Sequence, residues 1–305
     1  MSEFHNPVML SESISALKIK KEGVYVDATF GGGGHSKEIL KKLNSEGRLI
    51  VFDQDSEAIL KNKITDDRVV IMNKNFRYLK NCLTSIGIEK IDGVIADLGV
   101  SSYQINANRG FSFHSKTELD MRMNKSASLS AKEVLNKYDK ENLSRILKEH
   151  ADFSNSPKLA EKIISYRNKK YIKFSEDVLI LFSGCFYVPK KNQFFARIFQ
   201  AIRIEVNDEL NALKDLLNAS LNVLSPGGRL VVISYHSIED RIVKTFMKFG
   251  QFEAFAKKDF FGNQFRPFNL INKKPIVPTS KEMNSNNRSR SAKMRVAEIN
   301  SIVEN

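Results

Sequence analysis

Two alternating patterns of apolar positions run through the first third of the chain. Short, nearly continuous apolar runs begin at Val24, Arg48, Val69 and Ile91, and segments with apolar residues three or four positions apart lie between them. The first pattern is typical of strands buried on both faces of a parallel sheet, and the second of amphipathic helices. Their alternation predicts a doubly wound, Rossmann-like α/β sheet. The predicted helices cover 8–18, 36–43, 56–64 and about 78–87.

A fifth strand is predicted only at 228–234, after a helix over 209–224 and a Ser-Pro-Gly-Gly stop signal. About 130 residues separate it from the fourth strand, whereas a crossover connection needs a few tens. The residues between them have helical spacing, which predicts an inserted helical subdomain. The segments with this spacing are 130–149, 156–168 and 175–186.

This gap sets the predicted domain organisation. We predict a core formed by 1–107 and 209–305, interrupted by a helical substrate-recognition subdomain over 108–208. Near the C-terminus, 279–293 is rich in Ser, Asn and Arg, which predicts a mobile basic loop. The residues that follow, 293–299, are predicted to form an edge strand.

Four consecutive glycines, Gly31 to Gly34, follow the first strand. Glycine tolerates positive φ and lets the backbone approach a ligand closely, so this turn predicts a nucleotide site. A phosphate-binding loop would need a lysine after the glycines, and a dinucleotide site would need a third spaced glycine. S-adenosylmethionine remains, with Asp53 at the end of the second strand as acceptor for the ribose hydroxyls. A flexible loop without a ligand is the alternative.

Two polar loops follow the fourth and fifth strands. The first runs from Asp97 to Gln104, and the second from Ser234 to Arg241. Ligands of open α/β sheets bind at the carboxyl ends of the strands, so two such loops predict an active site beside the cofactor. Each loop alone could also be a set of helix caps and turns.

Basic residues are concentrated in two segments. The chain has a formal net charge of +13, of which 165–203 contributes +6 and 241–305 contributes +8. A basic balance confined to two regions indicates a polyanionic partner, most simply nucleic acid. Solvated lysines that keep the protein soluble are the alternative.

The rest of the composition argues against several classes of protein. The two cysteines, Cys82 and Cys185, are too few and too far apart for a disulfide framework or a metal cluster, so no metal site is predicted. No apolar run is long enough for a signal peptide or a membrane span, so we expect a soluble, cytoplasmic protein. Both a monomer and a homodimer are compatible with the sequence.

Long blocks of the sequence resemble the MraW family of bacterial methyltransferases, which modify the exocyclic N4 amine of a specific cytidine in ribosomal RNA. The resemblance covers nearly the whole chain and is far more specific than a glycine pattern. The matching blocks are His5–Leu10, Val26–Ser36, Asp92–Ser102, Arg109–Phe113, Leu119–Met123, Phe199–Leu210, Pro226–Leu230, Ser234–Lys244 and Arg288–Glu298.

The resemblance implies a class I methyltransferase fold, S-adenosylmethionine as cofactor, and 16S ribosomal RNA of the small subunit as partner. The implied cofactor-binding residues are Gly33, Gly34 and His35 at the methionine end, Asp53 at the ribose, Phe76 at the adenine, and Asp97 and Gln104 beside the transferred methyl group. Core packing is the alternative for Phe76, because phenylalanine is usually buried.

The implied reaction is a direct in-line methyl transfer to an amine whose lone pair is delocalised into the ring. Catalysis would come from holding N4 in line and from acceptors for its N–H bonds. Asp97 is the first candidate acceptor, followed by Ser101 and His236, although His236 could serve only to bond nearby backbone. The base must leave its stack to reach the site.

Several residues are candidates for RNA contacts, and some lie where the sequence departs from the family pattern. The candidates for phosphate contacts are Arg167, Lys169, Lys170 and Arg197. The aromatic residues that could stack on a base, or belong to the core, are Phe111, Phe113 and Tyr235. The departures are Tyr103, His150–Phe153 and Asn192–Arg197. They lie mostly in the insert, so the resemblance does not extend to the detailed RNA contacts of the insert.

Two other functions stay open. One is an RNA-binding assembly factor without catalysis, against which the intact Asp53 and Asp97 argue. The other is a small-molecule methyltransferase, which would not need two basic segments.

Overall fold

A computed structural model describes residues 7–62, 64–106, 108–255 and 266–300 of the chain. The chain divides into two compact units. Met1–Gly99 and Asn211–Asn305 form one, which we call the sheet unit, and Val100–Leu210 form the other, the helical unit. The predicted domain bounds, and the roles of core and substrate-recognition subdomain, stay predictions.

Seven strands form the sheet of the sheet unit. In chain order they are β1 (Val24–Asp27), β2 (Arg48–Phe52), β3 (Val69–Met72), β4 (Ile91–Asp97), β5 (Leu224–Ser234), β6 (Phe268–Leu270) and β7 (Lys293–Ile299). Their order across the sheet is β3-β2-β1-β4-β5-β7-β6. The first five strands pair in parallel, and β7 is antiparallel to both of its neighbours. The predicted doubly wound α/β class is confirmed, and the strand order reverses between β1 and β4, where such sheets bind ligands.

Alternate residues of a central strand pack into two different cores. Ile50 and Phe52 of β2 join one core, whereas Leu49 and Val51 join the other, and all four are fully buried. Burial on both faces requires apolar residues at successive positions, which is why the sequence pattern predicts these strands.

The helices lie between the strands and in the helical unit. In chain order they are α1 (Leu10–Leu17), α2 (Gly34–Leu40), α3 (Ser56–Lys61), α4 (Leu79–Ser85), α5 (Ser102–Asn106), α6 (Ala131–Lys137), α7 (Lys140–Glu149), α8 (Ser156–Arg167), α9 (Ser175–Leu181), α10 (Lys191–Asn207), α11 (Glu209–Val223), α12 (Ser237–Phe249) and α13 (Ser280–Ser285). Short 3₁₀ segments cover Phe76–Tyr78, Val188–Lys190 and Asn287–Ser291. The helices predicted between the first four strands are present but shorter; the one predicted over 56–64 includes Lys63, which lies outside the described residues.

The fifth strand begins earlier than predicted. The stop signal ends α11 at Val223, but β5 starts at once with Leu224 instead of at 228. Leu224 pairs with Ile91, and Arg229 pairs with Gly93, so the Ser-Pro-Gly-Gly residues form an irregularity inside the strand.

Two predictions for the C-terminal region are wrong. β7 is not an edge strand, because it pairs with β5 on one side and with β6 on the other. The segment 279–293 is not a loop, because it contains α13 and a 3₁₀ segment. Thr279 caps α13 by accepting a hydrogen bond from the Glu282 amide, and Ser289 is fully buried.

The helical unit has an apolar core of its own, to which α6 to α10 contribute. The predicted helix over 130–149 is two helices, since Asp139 accepts a hydrogen bond from the Asn142 amide and starts α7. The longest helix in the described ranges, α10, was not predicted. Its residues Phe194, Ile198 and Ile202 recur every four positions and are buried.

Among the helices within the described ranges, none combines the length and the apolar content that crossing a membrane requires.

Candidate functional site

The glycine turn between β1 and α2 requires glycine at two positions. Gly33 has a φ of +71°, where a side chain would strain the backbone, and its amide donates to the Phe30 carbonyl at 2.7 Å. A Cβ on Gly34 would lie 2.0 Å from Cγ of Pro7. A Cβ on Gly32 would instead meet nothing within 4 Å, so the turn borders open space on that side. The turn therefore has room for a ligand at Gly32, while Gly33 and Gly34 also serve the fold.

Asp53, directly after β2, holds this turn. Its Oδ2 accepts a hydrogen bond from the Gly31 amide at 2.9 Å, and its Oδ1 accepts one from the Asp55 amide at 2.9 Å. Burial raises the pKa of Asp53 to about 6 against the lowering effect of these two bonds. Each carboxylate oxygen keeps acceptor capacity beyond one bond, so Asp53 can still accept ligand hydroxyls.

Asp97, at the end of β4, is bonded to a tyrosine from the end of β5. The Tyr235 hydroxyl donates to Oδ1 of Asp97 at 2.6 Å, and the Asp97 amide donates to Oγ1 of Thr29 at 2.7 Å. β4 and β5 pair up to Asp97 and Ile233, which brings the ends of these two strands side by side within the sheet unit.

Burial also raises the pKa of Asp97 to about 6. His35, the Tyr235 hydrogen bond and Arg288 act in the lowering direction, and Asp27 acts in the raising direction. A carboxyl group with such a pKa, at the ligand end of a sheet, suits a group that accepts a proton near neutral pH.

His35 and Asp27 lie behind the glycine turn. His35 is buried, and its Nε2 is 3.2 Å from the Val8 carbonyl oxygen. Asp27 accepts hydrogen bonds from the Ser36 hydroxyl at 2.6 Å and from the Thr29 amide at 3.1 Å, and burial raises its pKa. Asp27 is not among the residues selected from the sequence, although an acid that ends the first strand before the glycines was the available signal.

Phe76 follows β3 and lies partly buried against one core of the sheet. Asn75, just before it, donates to the Gln54 side chain at 3.0 Å and so ties this segment to the end of β2. Phe76 thus has the packing role that was its alternative, while part of its ring stays exposed at the same end of the sheet as Asp53.

Gln104 and Ser101 belong to the helical unit and cap α5. The Ser101 amide donates to Oε1 of Gln104 at 3.0 Å, and the Gln104 amide donates to Oγ of Ser101 at 3.2 Å. These reciprocal bonds form a capping box, which gives both side chains a local role. Their predicted contacts with the cofactor and substrate stay predictions.

His236 has the structural role that was its alternative. It starts α12, and its Nδ1 accepts a hydrogen bond from the Glu239 amide at 3.4 Å. Its Nε2 is 3.1 Å from Oε1 of Glu239 without hydrogen-bond geometry. Tyr235, considered from sequence only for stacking or the core, is the residue that contacts Asp97.

Three of the four basic residues predicted to contact phosphates have partners within the helical unit, namely Arg167, Lys170 and Arg197. Arg167 donates to the carbonyls of Leu135 and Tyr138, and Lys170 pairs with Asp177 at 2.7 Å. Lys169 is exposed. Phe111 and Phe113 pack partly buried against the core of this unit, so their exposure to a base is limited.

The two longer departures from the family pattern contact each other. Nε of Arg197 donates to the Ala151 carbonyl at 2.9 Å, and its guanidinium lies 4.1 Å from the centre of the Phe153 ring. Phe194 meets Phe153 edge to face, with ring centres 5.4 Å apart. Arg197 therefore joins the two segments within the helical unit.

Comparison with known proteins identifies the family. The family model described as the MraW methylase family matches residues 2–300. Two relatives named ribosomal RNA small subunit methyltransferase H are from Christiangramia forsetii and Phocaeicola vulgatus. The first is 51% identical over 97% of this chain and 98% of its own, and the second 49% identical over 97% of both chains.

A solved structure, the rRNA methylase from Streptococcus thermophilus, aligns with 98% of this chain and 99% of its own at 12% identity and a TM-score of 0.41, which is too distant to support any conclusion. The match along nearly all of the sequence is decisive: the chain belongs to the MraW methylase family.

Proposed function

We propose that the protein transfers the methyl group of S-adenosylmethionine to the exocyclic N4 amine of a cytidine in 16S ribosomal RNA of the small subunit. Family membership supplies the class of reaction and the methyl donor. The observation that carries the proposal is the Asp97 carboxyl at the ligand end of β4, held by Tyr235 at 2.6 Å. Because the proposed substrate is ribosomal RNA, we also propose that the enzyme acts in the cytoplasm.

The sheet unit offers groups that fit each part of the donor. Open space beside Gly32 leaves room for the methionine end, next to Gly33, Gly34 and His35. Asp53 retains acceptor capacity for the ribose hydroxyls, and the exposed part of Phe76 can cover the adenine. Gln104 of the helical unit is proposed as a further contact on the strength of the family resemblance alone.

The chain's own groups then have two tasks in the reaction. When bound, S-adenosylmethionine supplies an electrophilic methyl group on a sulfonium. Asp97 accepts a hydrogen bond from the N4 amine and so fixes its orientation toward the methyl group. As the C–N bond forms, the bond between the methyl group and sulfur would break and its electron pair would stay on sulfur. The amine would gain positive charge, and its proton would pass to the Asp97 carboxylate. The Tyr235 hydroxyl occupies Oδ1 and leaves Oδ2 for the amine.

The activity test uses purified small subunits that lack the methyl mark and labelled S-adenosylmethionine. Wild-type protein is expected to label the 16S RNA, and Asp97→Asn to lower kcat by about 10²–10⁴-fold, the usual contribution of a general base. Asp215→Asn makes the same change at an exposed acid of the sheet unit and is expected to keep the wild-type rate.

The outcomes separate the proposal from its rivals. An assembly factor would bind the subunits without labelling them, and a small-molecule enzyme would leave the RNA unlabelled with or without binding. A wild-type rate in Asp97→Asn would show that Asp97 does not accept the proton.

A further inference from the structure

A cavity separate from the glycine turn lies near Asp97 in the sheet unit. It is a cavity of about 260 Å³ between the start of α12 and the C-terminal segment 277–293. The residues that line it are Tyr235, His236, Ser237, Val277, Pro278, Met283, Arg290, Ser291, Ala292 and Lys293. The methyl-transfer mechanism above uses only Tyr235 from this set.

Tyr235 connects this cavity to the proposed reaction. Its side chain lines the cavity, and its hydroxyl donates to Asp97 at 2.6 Å. A molecule in the cavity would therefore touch the same residue that holds the catalytic carboxylate. The cavity adjoins the methyl acceptor's position and is separate from the glycine turn.

The charge of the lining suits an anion. Arg290 and Lys293 are its cations, and no carboxylate is among the residues that line it. Two acids lie next to the lining. Glu239 accepts a hydrogen bond from the Tyr235 amide at 2.9 Å and lies 3.1 Å from Nε2 of His236. Asp240 accepts hydrogen bonds from Arg295 at 2.6 and 3.1 Å, whereas Nζ of Lys293 is 3.8 Å from it. Arg295 thus offsets most of the negative charge of Asp240. Arg290 is exposed and available to a ligand's anionic group.

The walls of the cavity are held by backbone bonds. Ile276 and Met294 exchange two hydrogen bonds at 2.9 and 2.8 Å, which fasten the segment before the cavity to β7. The Ala292 amide donates to the Ser289 carbonyl at 2.9 Å, and Ser289 is fully buried. The cavity is therefore preformed, which lowers the cost of ordering it around a ligand.

We propose that this cavity binds one nucleotide of the RNA strand, next to the cytidine that is methylated. Arg290 and Lys293 hold its phosphate, and Val277, Pro278 and Met283 pack against its sugar or base. The volume of about 260 Å³ lies just below the range of about 300–1,000 Å³ of pockets for drug-sized ligands, so the cavity has room for no more than one nucleotide. This inference rests on the proposed function, since it takes RNA to be the substrate.

The test measures binding of a fluorescent single-stranded RNA oligonucleotide, with the sequence around the target cytidine, by anisotropy at several salt concentrations. Replacing both Arg290 and Lys293 by alanine is expected to weaken binding about 10–100-fold. It should also make the dependence of log K on log salt shallower by about 0.7 for each phosphate that the variant no longer neutralises. Lys281→Ala, an exposed lysine of α13 outside the cavity, is the matched control.

A second variant tests the cavity without removing its cations. Val277 is 59% exposed, so Val277→Glu should fold and should repel a phosphate, with RNA binding at least about 10-fold weaker. Affinity for S-adenosylmethionine, measured by calorimetry, should stay at the wild-type value in all of these variants. Wild-type RNA affinity in the double variant or in Val277→Glu would overturn the inference, as would a reduction equal to that of Lys281→Ala.

These results are distinguishable from failure of the proposed function. A wild-type protein that binds the RNA but transfers no methyl group would contradict the proposed function and leave the nucleotide site standing. Methyl transfer by the wild-type protein, together with unchanged RNA affinity in the double variant, would support the proposed function and contradict the nucleotide site. Failure of the wild-type protein to bind the RNA would overturn the inference as well.

Discussion

Both units of the molecule contain partly or fully buried carboxylates, but the surroundings of these groups differ. In the sheet unit, burial raises the pKa values of Asp53 and Asp97 to about 6. In the helical unit, burial acts in the same direction on Glu205, but hydrogen bonds from His150 and Arg145 outweigh it and lower the pKa to about 2. Glu205 is therefore fully compensated, whereas the hydrogen bonds to Asp53 and Asp97 offset only part of the effect of their burial.

The difference teaches where to look for chemistry. Glu205 accepts hydrogen bonds from Tyr138 at 3.0 Å and Arg145 at 2.8 Å and lies 2.9 Å from Nε2 of His150, so its charge serves the packing of three elements. An uncompensated buried acid costs stability and is retained where it has a function. Asp53 and Asp97 lie at the ligand end of the sheet, which is the place that this reasoning selects.

The largest expected effect on ligand binding is the loss of affinity for the cofactor in Asp53→Ala. The change removes the ribose acceptor and the acceptor of the Gly31 amide, so affinity for S-adenosylmethionine should fall more than about 100-fold, as for two charge-assisted hydrogen bonds. Calorimetry measures it, with the exposed Asp67→Ala as control. In wild-type protein, affinity should weaken as the pH falls through about 6, because a protonated Asp53 accepts less well. Unchanged affinity in Asp53→Ala would refute the ribose assignment.

The second effect is on the stability of the helical unit in Glu205→Gln. Loss of the buried charge should lower the free energy of unfolding by about 2–4 kcal/mol at pH 7. Because the folded pKa of Glu205 lies below the usual value, its contribution is complete above about pH 4.5 and disappears as the pH falls toward 2. The difference between variant and wild type should shrink over the same range.

Denaturant unfolding followed by circular dichroism measures this difference. Glu161→Gln is the control, because Glu161 is an exposed partner of Lys140 at 3.5 Å and should change stability by less than about 1 kcal/mol. A Glu205→Gln protein as stable as this control at pH 7 would show that the cluster around Glu205 is not stabilising.

The smallest effect is on the pH profile of Tyr235→Phe. The Tyr235 hydrogen bond lowers the pKa of Asp97, so its loss should raise that pKa further. Since methyl transfer needs the carboxylate, the acidic limb of the kcat profile should move by about one unit to higher pH. The rate should therefore fall roughly 2-fold at pH 7 and roughly 10-fold at pH 5, and it should recover in alkaline buffer. Tyr78→Phe, at an exposed tyrosine of the same unit, is the control and should keep the wild-type pH profile. A wild-type pH profile in Tyr235→Phe would show that Asp97 does not titrate in the reaction.

The sequence was sufficient for the parts of the fold that depend on local pattern. The parallel strands were predictable because residues such as Ile50 and Val51 are buried on opposite faces. The position of β7 was not, because it depends on pairing with the three residues of β6, too few to form a recognisable pattern. α10 was not predicted although its apolar period is clear, because no capping side chain marks its N-terminus.

The site residues likewise divide into those marked by a local sequence pattern and those brought together by long-range contacts. Asp53 and Asp97 could be selected because an acid at the end of a buried strand is a local signal. The bond between Asp97 and Tyr235 could not, since it joins residues 138 positions apart in the sequence. Gln104 was selected for a cofactor contact, whereas its observed partner, Ser101, lies only three residues away.

The contact between Arg197 and the 150–153 segment has a consequence for how such a sequence can change over time. Arg197 depends on the Ala151 carbonyl and on the face of Phe153, which belong to the other departing segment. The Ala151 carbonyl is a backbone group that any residue at this position supplies, whereas the contact with the Phe153 ring requires an aromatic side chain. Position 197 therefore keeps its hydrogen bond whatever residue occupies position 151, but an arginine there loses its cation–π contact when position 153 loses its aromatic ring.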